Sequence, residues 1–124
     1  MSLGADGDVN KALRNVRFGS AGYFFIYDFD GYNRFHAVNT ALEGTAQIGM
    51  TDPNGKKIVV GLIEAARSGD GFFMYDYAKP GVTGLVPKIG YAATVPGKNW
   101  ILGTGAYTDD IDVQFTDTDL QSGI

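Results

Sequence analysis

The chain has 124 residues, no cysteine and a net charge of −4. It is sized for one domain, has no disulfide or thiolate metal site, and lacks the basic stripe that a nucleic-acid surface needs. Aromatic residues make up 13% of it and there are 18 glycines; the first excludes a disordered chain and the second points to many tight turns.

No apolar run approaches the roughly 18 residues of a membrane-spanning helix. The polar start, Met1 to Asp8, does not read as a signal peptide, and Met1-Ser2-Leu3 reads as an expression scar. Residues 6–18 predict a short helix capped by Asp6 or Asp8. Val9, Leu13 and Val16 form its apolar face, and Lys11, Arg14 and Arg17 lie on the others.

Residues 22–31 are the densest aromatic run, Gly-Tyr-Phe-Phe-Ile-Tyr-Asp-Phe-Asp-Gly. Such density fits a pleated, half-buried surface, so a strand is predicted over 23–29. Asp30-Gly31 predicts a two-residue turn with positive φ at both positions, and 32–38 a returning strand. Residues 39–57 are irregular. Asp52 before Pro53 offers a helix N-cap, while Asn54-Gly55 offers a turn. A helix follows over 57–68, with Ile58, Val59, Leu62, Ile63, Ala65 and Ala66 as one broad apolar stripe. Gly61 inside it costs about 1 kcal/mol against Ala, which marks a close-packing position. Further strands are predicted over 71–77, 85–95 and 100–107, joined by a loop at 79–84 and a turn at 96–99.

Five strands joined mainly by short turns give an antiparallel sheet. The predicted fold is α+β and PAS-like: a five-stranded antiparallel sheet, a short N-terminal helix, and a helix and loop covering one face to close a pocket. One domain is expected over 1–112, followed by a loose polar tail over 113–124.

Asp28 and Asp30 follow an apolar strand, as in the nucleophile motif of haloacid-dehalogenase-like phosphatases. That chemistry needs two carboxylates at a strand end and Mg²⁺. The residues after Gly31 continue as a strand, so the turn is the better reading. Asp28, Asp30 and Asn33, or Asp109, Asp110 and Asp112, could donate oxygens to a metal, but no EF-hand series is present and no metal site is assigned. Gly103-Thr104-Gly105 matches no phosphate loop; glycines inside a strand mark a close approach of backbone or ligand.

His36, the only histidine, has no triad or metal partner, and reads either as a half-exposed strand residue or as a pocket donor. Tyr75 and Tyr77 share one sheet face by period two. Lys88 interrupts an apolar strand and either snorkels or faces a pocket that holds an anion. Tyr91 lies on the opposite face of a regular strand from Lys88, so both reach one site only through a bulge, for which Gly90 is the candidate.

From about Ala12 to Asp112 the chain resembles the single Cache (sCache_2-type) sensor domains of chemoreceptors and sensor kinases. The resemblance is carried by 22–28 with Asp30-Gly31, His36, Leu42-Glu43-Gly44, Asp52-Pro53-Asn54-Gly55, Gly71-Phe72 with Tyr75, Lys79-Pro80, Lys88 with Tyr91, and 100–107 with Asp109-Asp110-Ile111. It implies an extracytoplasmic sensor, not an enzyme, that binds a small organic acid such as acetate, propionate or pyruvate and needs no cofactor. It further implies a membrane-anchored parent protein and leaves a homodimer, or a ligand-free dimerisation module, open. The implied ligand-binding residues are Phe25, His36, Tyr75, Tyr77, Lys88 and Tyr91. Ala37 after His36, Phe25 and Tyr77 stand where the family often has Pro, Trp and Trp, which alters the shape of the pocket.

Overall fold

Strand pairing sets the architecture. The computed structural model describes residues 10–17, 22–78 and 81–107. Within them run strands β1 (Phe25–Asp28) and β2 (Asn33–His36), a 3₁₀ turn (Thr40–Leu42), helix α1 (Ile58–Ser68), and strands β3 (Phe72–Ala78), β4 (Leu85–Thr94) and β5 (Trp100–Tyr107). All pairings are antiparallel, in the order β2-β1-β5-β4-β3. The last strand therefore sits at the centre, between the two hairpins. Residues 10–14 are helical, so Val16 falls beyond the helix and is exposed. The predicted caps Asp6 and Asp8, and the tail beyond Tyr107, lie outside the described residues.

The first hairpin differs from expectation. Gly31 has φ +91°, but among the described residues no non-glycine is at positive φ, so Asp30 does not form a two-residue turn with it. Instead the Gly31 N–H donates to Asp28 O at 3.0 Å, and the Asp28 N–H to Tyr32 O at 3.0 Å. This is a three-residue loop closed by a left-handed glycine. The Asp28 carboxylate organises it by accepting the N–H groups of Asp30 and Tyr32, both at 3.0 Å. The same carboxylate takes the Arg34 guanidinium at 2.9 and 2.7 Å. Both strands are shorter than predicted at each end; at the loop end the Asp28 bonds hold residues 29–32 outside the β1–β2 ladder. The register shifts between Ile26 and Tyr27, which leaves Arg34 as the extra residue, free to reach Asp28.

Of the two readings at 52–55, the turn is the one found. Asp52 Oδ1 accepts the N–H of Asn54 and of Lys56, each at 2.9 Å, and Gly55 has φ +82°. Asp52 Oδ2 also accepts the Asp76 N–H at 3.3 Å, which ties the loop to the outer edge of β3. Helix α1 starts beyond it, with Lys57 in the cap position and no side-chain cap.

Helix α1 buries Ile58, Val59, Leu62 and Ile63 against the sheet, each contributing about 1.5–3 kcal/mol. Gly61 meets the expected need for close packing: a Cβ there would lie 2.3 Å from the Phe73 ring. The sheet thus has a face under α1 and an outer face, and the residues 10–14 approach the outer one, with Arg14 over the Phe35 ring at 4.6 Å.

Candidate functional site

Register decides which side chains meet. Phe25 pairs with His36 and with Gly103; Lys88 pairs with Tyr107 and with Tyr75. Opposed residues in adjacent strands share a face, so Phe25, His36, Tyr75, Lys88, Tyr107 and, two along, Tyr27 and Tyr77 all lie under α1. All of them but Tyr107 line a small cavity, together with Tyr23, Met50, Ile58 and Leu62; Tyr107 faces Lys88 with its ring. About 10 Å³ is open to the centre of a water-sized sphere, at the lower limit for one water molecule.

Lys88 is the centre of this site. It is 1% exposed, and its Nζ lies 4.4 Å from the Tyr23 ring centroid, 5.3 Å from Phe25, 5.8 Å from Tyr75, 5.1 Å from Tyr77 and 5.2 Å from Tyr107. Ring faces stabilise a cation in part. No carboxylate of the described residues pairs with Lys88; Glu43 is taken by Arg14 and Asp28 by Arg34. Burial lowers its pKa from the usual 10.5 to about 7, because a charge removed from water without a counter-charge is costly.

Lys88 can extend into this space because β5 is bare beneath it. A Cβ on Gly105 would sit 2.5 Å from Lys88 Cε, and a Cβ on Gly103 would sit 2.2 Å from the Phe25 ring. Both glycines are close-approach positions, as their place within a strand predicts.

The hydrogen bonds around Lys88 have a direction. Tyr107 donates its hydroxyl proton to Ala78 O at 2.9 Å. The Tyr23 and Tyr107 hydroxyls are hydrogen-bonded, so Tyr23 is the donor of that pair. The Tyr23 oxygen accepts from Lys88 Nζ at 3.3 Å. An ammonium has three donors, so two remain for the cavity. Burial raises the pKa of Tyr23, Tyr75 and Tyr77, which keeps their hydroxyls protonated.

His36 is 2% exposed and stacks on Phe25 at 6.1 Å. Its Nδ1 accepts the N–H of Asn39 at 2.8 Å and of Val38 at 3.3 Å. A nitrogen that accepts carries no proton, so the neutral ring holds its hydrogen on Nε2. Burial, then the Lys88 charge, lower its pKa to about 4, against the opposing pull of Glu43. His36 is thus a fixed neutral donor.

The backbone of His36 is held from behind. Its N–H donates to Glu43 Oε2 at 3.0 Å and its carbonyl accepts from Arg14 Nη1 at 3.2 Å. Arg14 and Glu43 pair at 2.7 Å. Burial pulls the Glu43 carboxyl up, but the bonds from Arg14 and the His36 N–H outweigh it and hold it below its usual value.

Five of the six residues singled out from sequence therefore share this cavity: Phe25, His36, Tyr75, Tyr77 and Lys88. Tyr91 does not. Pairing is regular from Lys88↔Tyr107 through Tyr91↔Thr104, so the bulge needed at Gly90 is absent. Tyr91 points to the outer face, 43% exposed, 5.0 Å from Phe72. Gly90 serves a different need, since a Cβ there would meet Leu62 at 2.9 Å and Tyr75 at 3.0 Å. Sequence reasoning missed Tyr23, Tyr27, Tyr107 and Met50. Period two from Phe25 reaches Tyr23 and Tyr27, and from Gly103 it reaches Tyr107; Met50 sits in an irregular loop that carries no such signal. Asp28 and Asp30, weighed as catalytic or metal-binding groups, lie at the hairpin loop, and Asp109, Asp110 and Asp112 lie outside the described residues.

A five-stranded antiparallel sheet holding a buried cation among aromatic rings, under one helix, has the layout of a small-ligand binding module. Residues 5–121 match the family described as Single Cache domain 2, and the chain belongs to that family. It is 34% identical over 106 residues to the sensor histidine kinase MctS of Rhizobium johnstonii, covering 86% of this chain and 23% of the kinase. A crystal structure of a methyl-accepting chemotaxis protein from Vibrio parahaemolyticus superposes with a TM-score of 0.83 at 41% identity, over 90% of this chain and 76% of that one. A Cache chemosensory domain solved as the structural basis for carboxylic acid recognition superposes with a TM-score of 0.80 at 29% identity, over 88% and 76%. The chain thus spans about a quarter of the length of the matched kinase, and it is a Cache sensor domain of the kind found in chemoreceptors and sensor kinases.

Proposed function

We propose that the domain recognises a small organic acid of the acetate, propionate or pyruvate type, outside the cytoplasm, on behalf of a membrane-anchored receptor for chemotaxis or transmembrane signalling. The observation that carries this reading is the buried Lys88, without a carboxylate partner among the described residues, lining one cavity with His36. A carboxylate that leaves water needs charge-assisted donors to replace its hydration. Lys88 supplies the charge and two donors; His36 supplies a directed third. Phe25, Tyr77, Leu62 and Ile58 form the apolar walls around a short acyl chain. Carboxylic acid recognition by the matched Cache domain supports the same chemistry.

The cavity holds one water at most, so an acid with four or more heavy atoms binds only if the walls move. That movement is the raw material of a signal, because a ligand shifts a two-state equilibrium only through contacts made in one state. His36 meets the ligand with its ring and the N-terminal helix with its backbone, through Arg14 and Glu43. Calorimetric titration with C2–C4 acids is the test. Lys88→Ala should lose measurable affinity; equal affinity in the variant removes Lys88 from the site. The narrowness of the cavity favours a second reading, a ligand-free structural or dimerisation module, for which no acid binds and no metabolite shifts the melting temperature.

A further inference from the structure

The cavity has an unusual charge count. Among the described residues that line it, Lys88 is the single group able to carry positive charge: His36 is locked neutral by the two N–H groups at Nδ1. Tyr23, from the segment before β1, Tyr75 and Tyr77 on β3, and Tyr107 on β5 face Lys88 with rings or neutral hydroxyls. Helix α1 and the Met50 loop face it with apolar side chains. Arg14 and Glu43 stand behind β2 and neutralise each other at 2.7 Å. The wall around the ligand therefore carries no negative charge and at most one positive charge, and that charge has no built-in counter-ion.

We propose that the pocket binds a monocarboxylate and a proton together, so that affinity falls as the external pH rises and dicarboxylates are rejected. The inference rests on the carboxylate reading of the same site. In the ligand-free pocket burial without a counter-ion outweighs the partial help of the ring faces and favours the neutral amine over the ammonium. When R–COO⁻ arrives, the amine takes H⁺ from solvent and the pair R–COO⁻···⁺H₃N–Lys88 forms; no covalent bond is made or broken in the ligand. Only a net-neutral pair is then buried. A second carboxylate would be buried with no counter-charge, and an uncompensated charge is costly to take out of water. The depressed pKa of Lys88 places the proton uptake within the range that an extracytoplasmic domain meets.

The test is calorimetric titration of acetate, propionate and malonate between about pH 6 and pH 9, each in two buffers of different ionisation heat. One linked proton makes the affinity fall about tenfold per pH unit once the free amine is neutral. Expected are a near-plateau below pH 7, an acetate affinity roughly a hundredfold weaker at pH 9 than at pH 6, uptake of about one proton per acetate at pH 8 to 9, and malonate at least tenfold weaker than propionate throughout. Lys88→Arg, which cannot lose its charge, should bind with no pH dependence; if it fails to fold, the wild-type proton uptake decides alone. Acetate binding with constant affinity and no proton uptake, or malonate binding as tightly as propionate, overturns the proposal and leaves the carboxylate reading intact. No binding of any acid at pH 6 overturns both.

Discussion

The two faces of the sheet are built from the same strands and do opposite things with their aromatic residues. On β3, Phe73, Tyr75 and Tyr77 point under α1, while Phe72 and Met74 point out and are 57% and 51% exposed. On β4, Lys88 points in and Tyr91 out. Inside, the rings surround Lys88; outside, Phe72 and Tyr91 lie against each other and remain about half exposed. Residue type does not separate the two sets. Parity does, and parity is fixed by register. A one-residue slip of β4 would move Lys88 into solvent and a neighbouring apolar residue into the cage.

The comparison can be broken first at Lys88 itself. Its folded pKa of about 7 lies below the 10.5 of the unfolded chain, so between these values the unfolded state binds the extra proton. Stability therefore rises with pH across that window and is lowest below pH 7. Lys88→Met should abolish this slope, a wild-type-minus-variant difference on the order of 3 kcal/mol between about pH 7 and 9.5 by urea unfolding. Parallel pH profiles for both proteins would show that the amine is not confined. On the proposed proton-linked binding, stability and acid affinity should run in opposite directions with pH.

Next come the glycines beneath the cage. Gly103→Val drives a side chain into the Phe25 ring and should cost about 2–3 kcal/mol, the upper part of the overpacking range, read from the urea midpoint. A loss under 0.5 kcal/mol would mean that Phe25 has room to retreat.

Behind the site, Glu43→Ala removes the acceptor of the His36 N–H and the partner of Arg14. Both groups are partly exposed, so the stability cost should be about 1 kcal/mol or less. The wild-type contribution is lost as pH falls through the lowered Glu43 pKa, and an acid titration of Tm should show it. The smallest effect is expected on the outer face: Tyr91→Ala should change acid affinity less than twofold and stability by about 0.5 kcal/mol. An affinity loss matching that of Lys88→Ala would erase the distinction between the faces.

The fold was legible because its cues are local and mutually consistent. The aromatic run, the apolar stripe of 57–68 and the glycine-punctuated strands each name their element, and short connections leave few antiparallel arrangements. The site was legible where period two could be applied from a secure anchor, which joins Tyr75 to Tyr77. It was not legible at Gly90, because a bulge and a close approach both require a missing side chain and leave the same residue. The bulge lies instead at Arg34, where the demand of Asp28 for a partner is non-local in sequence. Tyr23 falls within the predicted strand and on the parity of Phe25, but the ladder begins only at Phe25, so its place beside Lys88 follows from the bond across to the distant β4. Met50 was hidden because its place depends on the 52–56 loop being pinned to the edge of β3.

The bare floor of β5 has a consequence for how such pockets diversify. Gly105 and Lys88 occupy one volume between them, since the lysine stem fills the space that a side chain at 105 would take. The two positions are therefore a single heritable unit. A side chain gained at 105 must displace the Lys88 stem and also crowds the Ile89 carbonyl, 3.0 Å from its Cβ, so it is accommodated best where the side chain at 88 has been shortened. A change at either position is therefore felt at the other, which ties the floor of the pocket to the lysine above it.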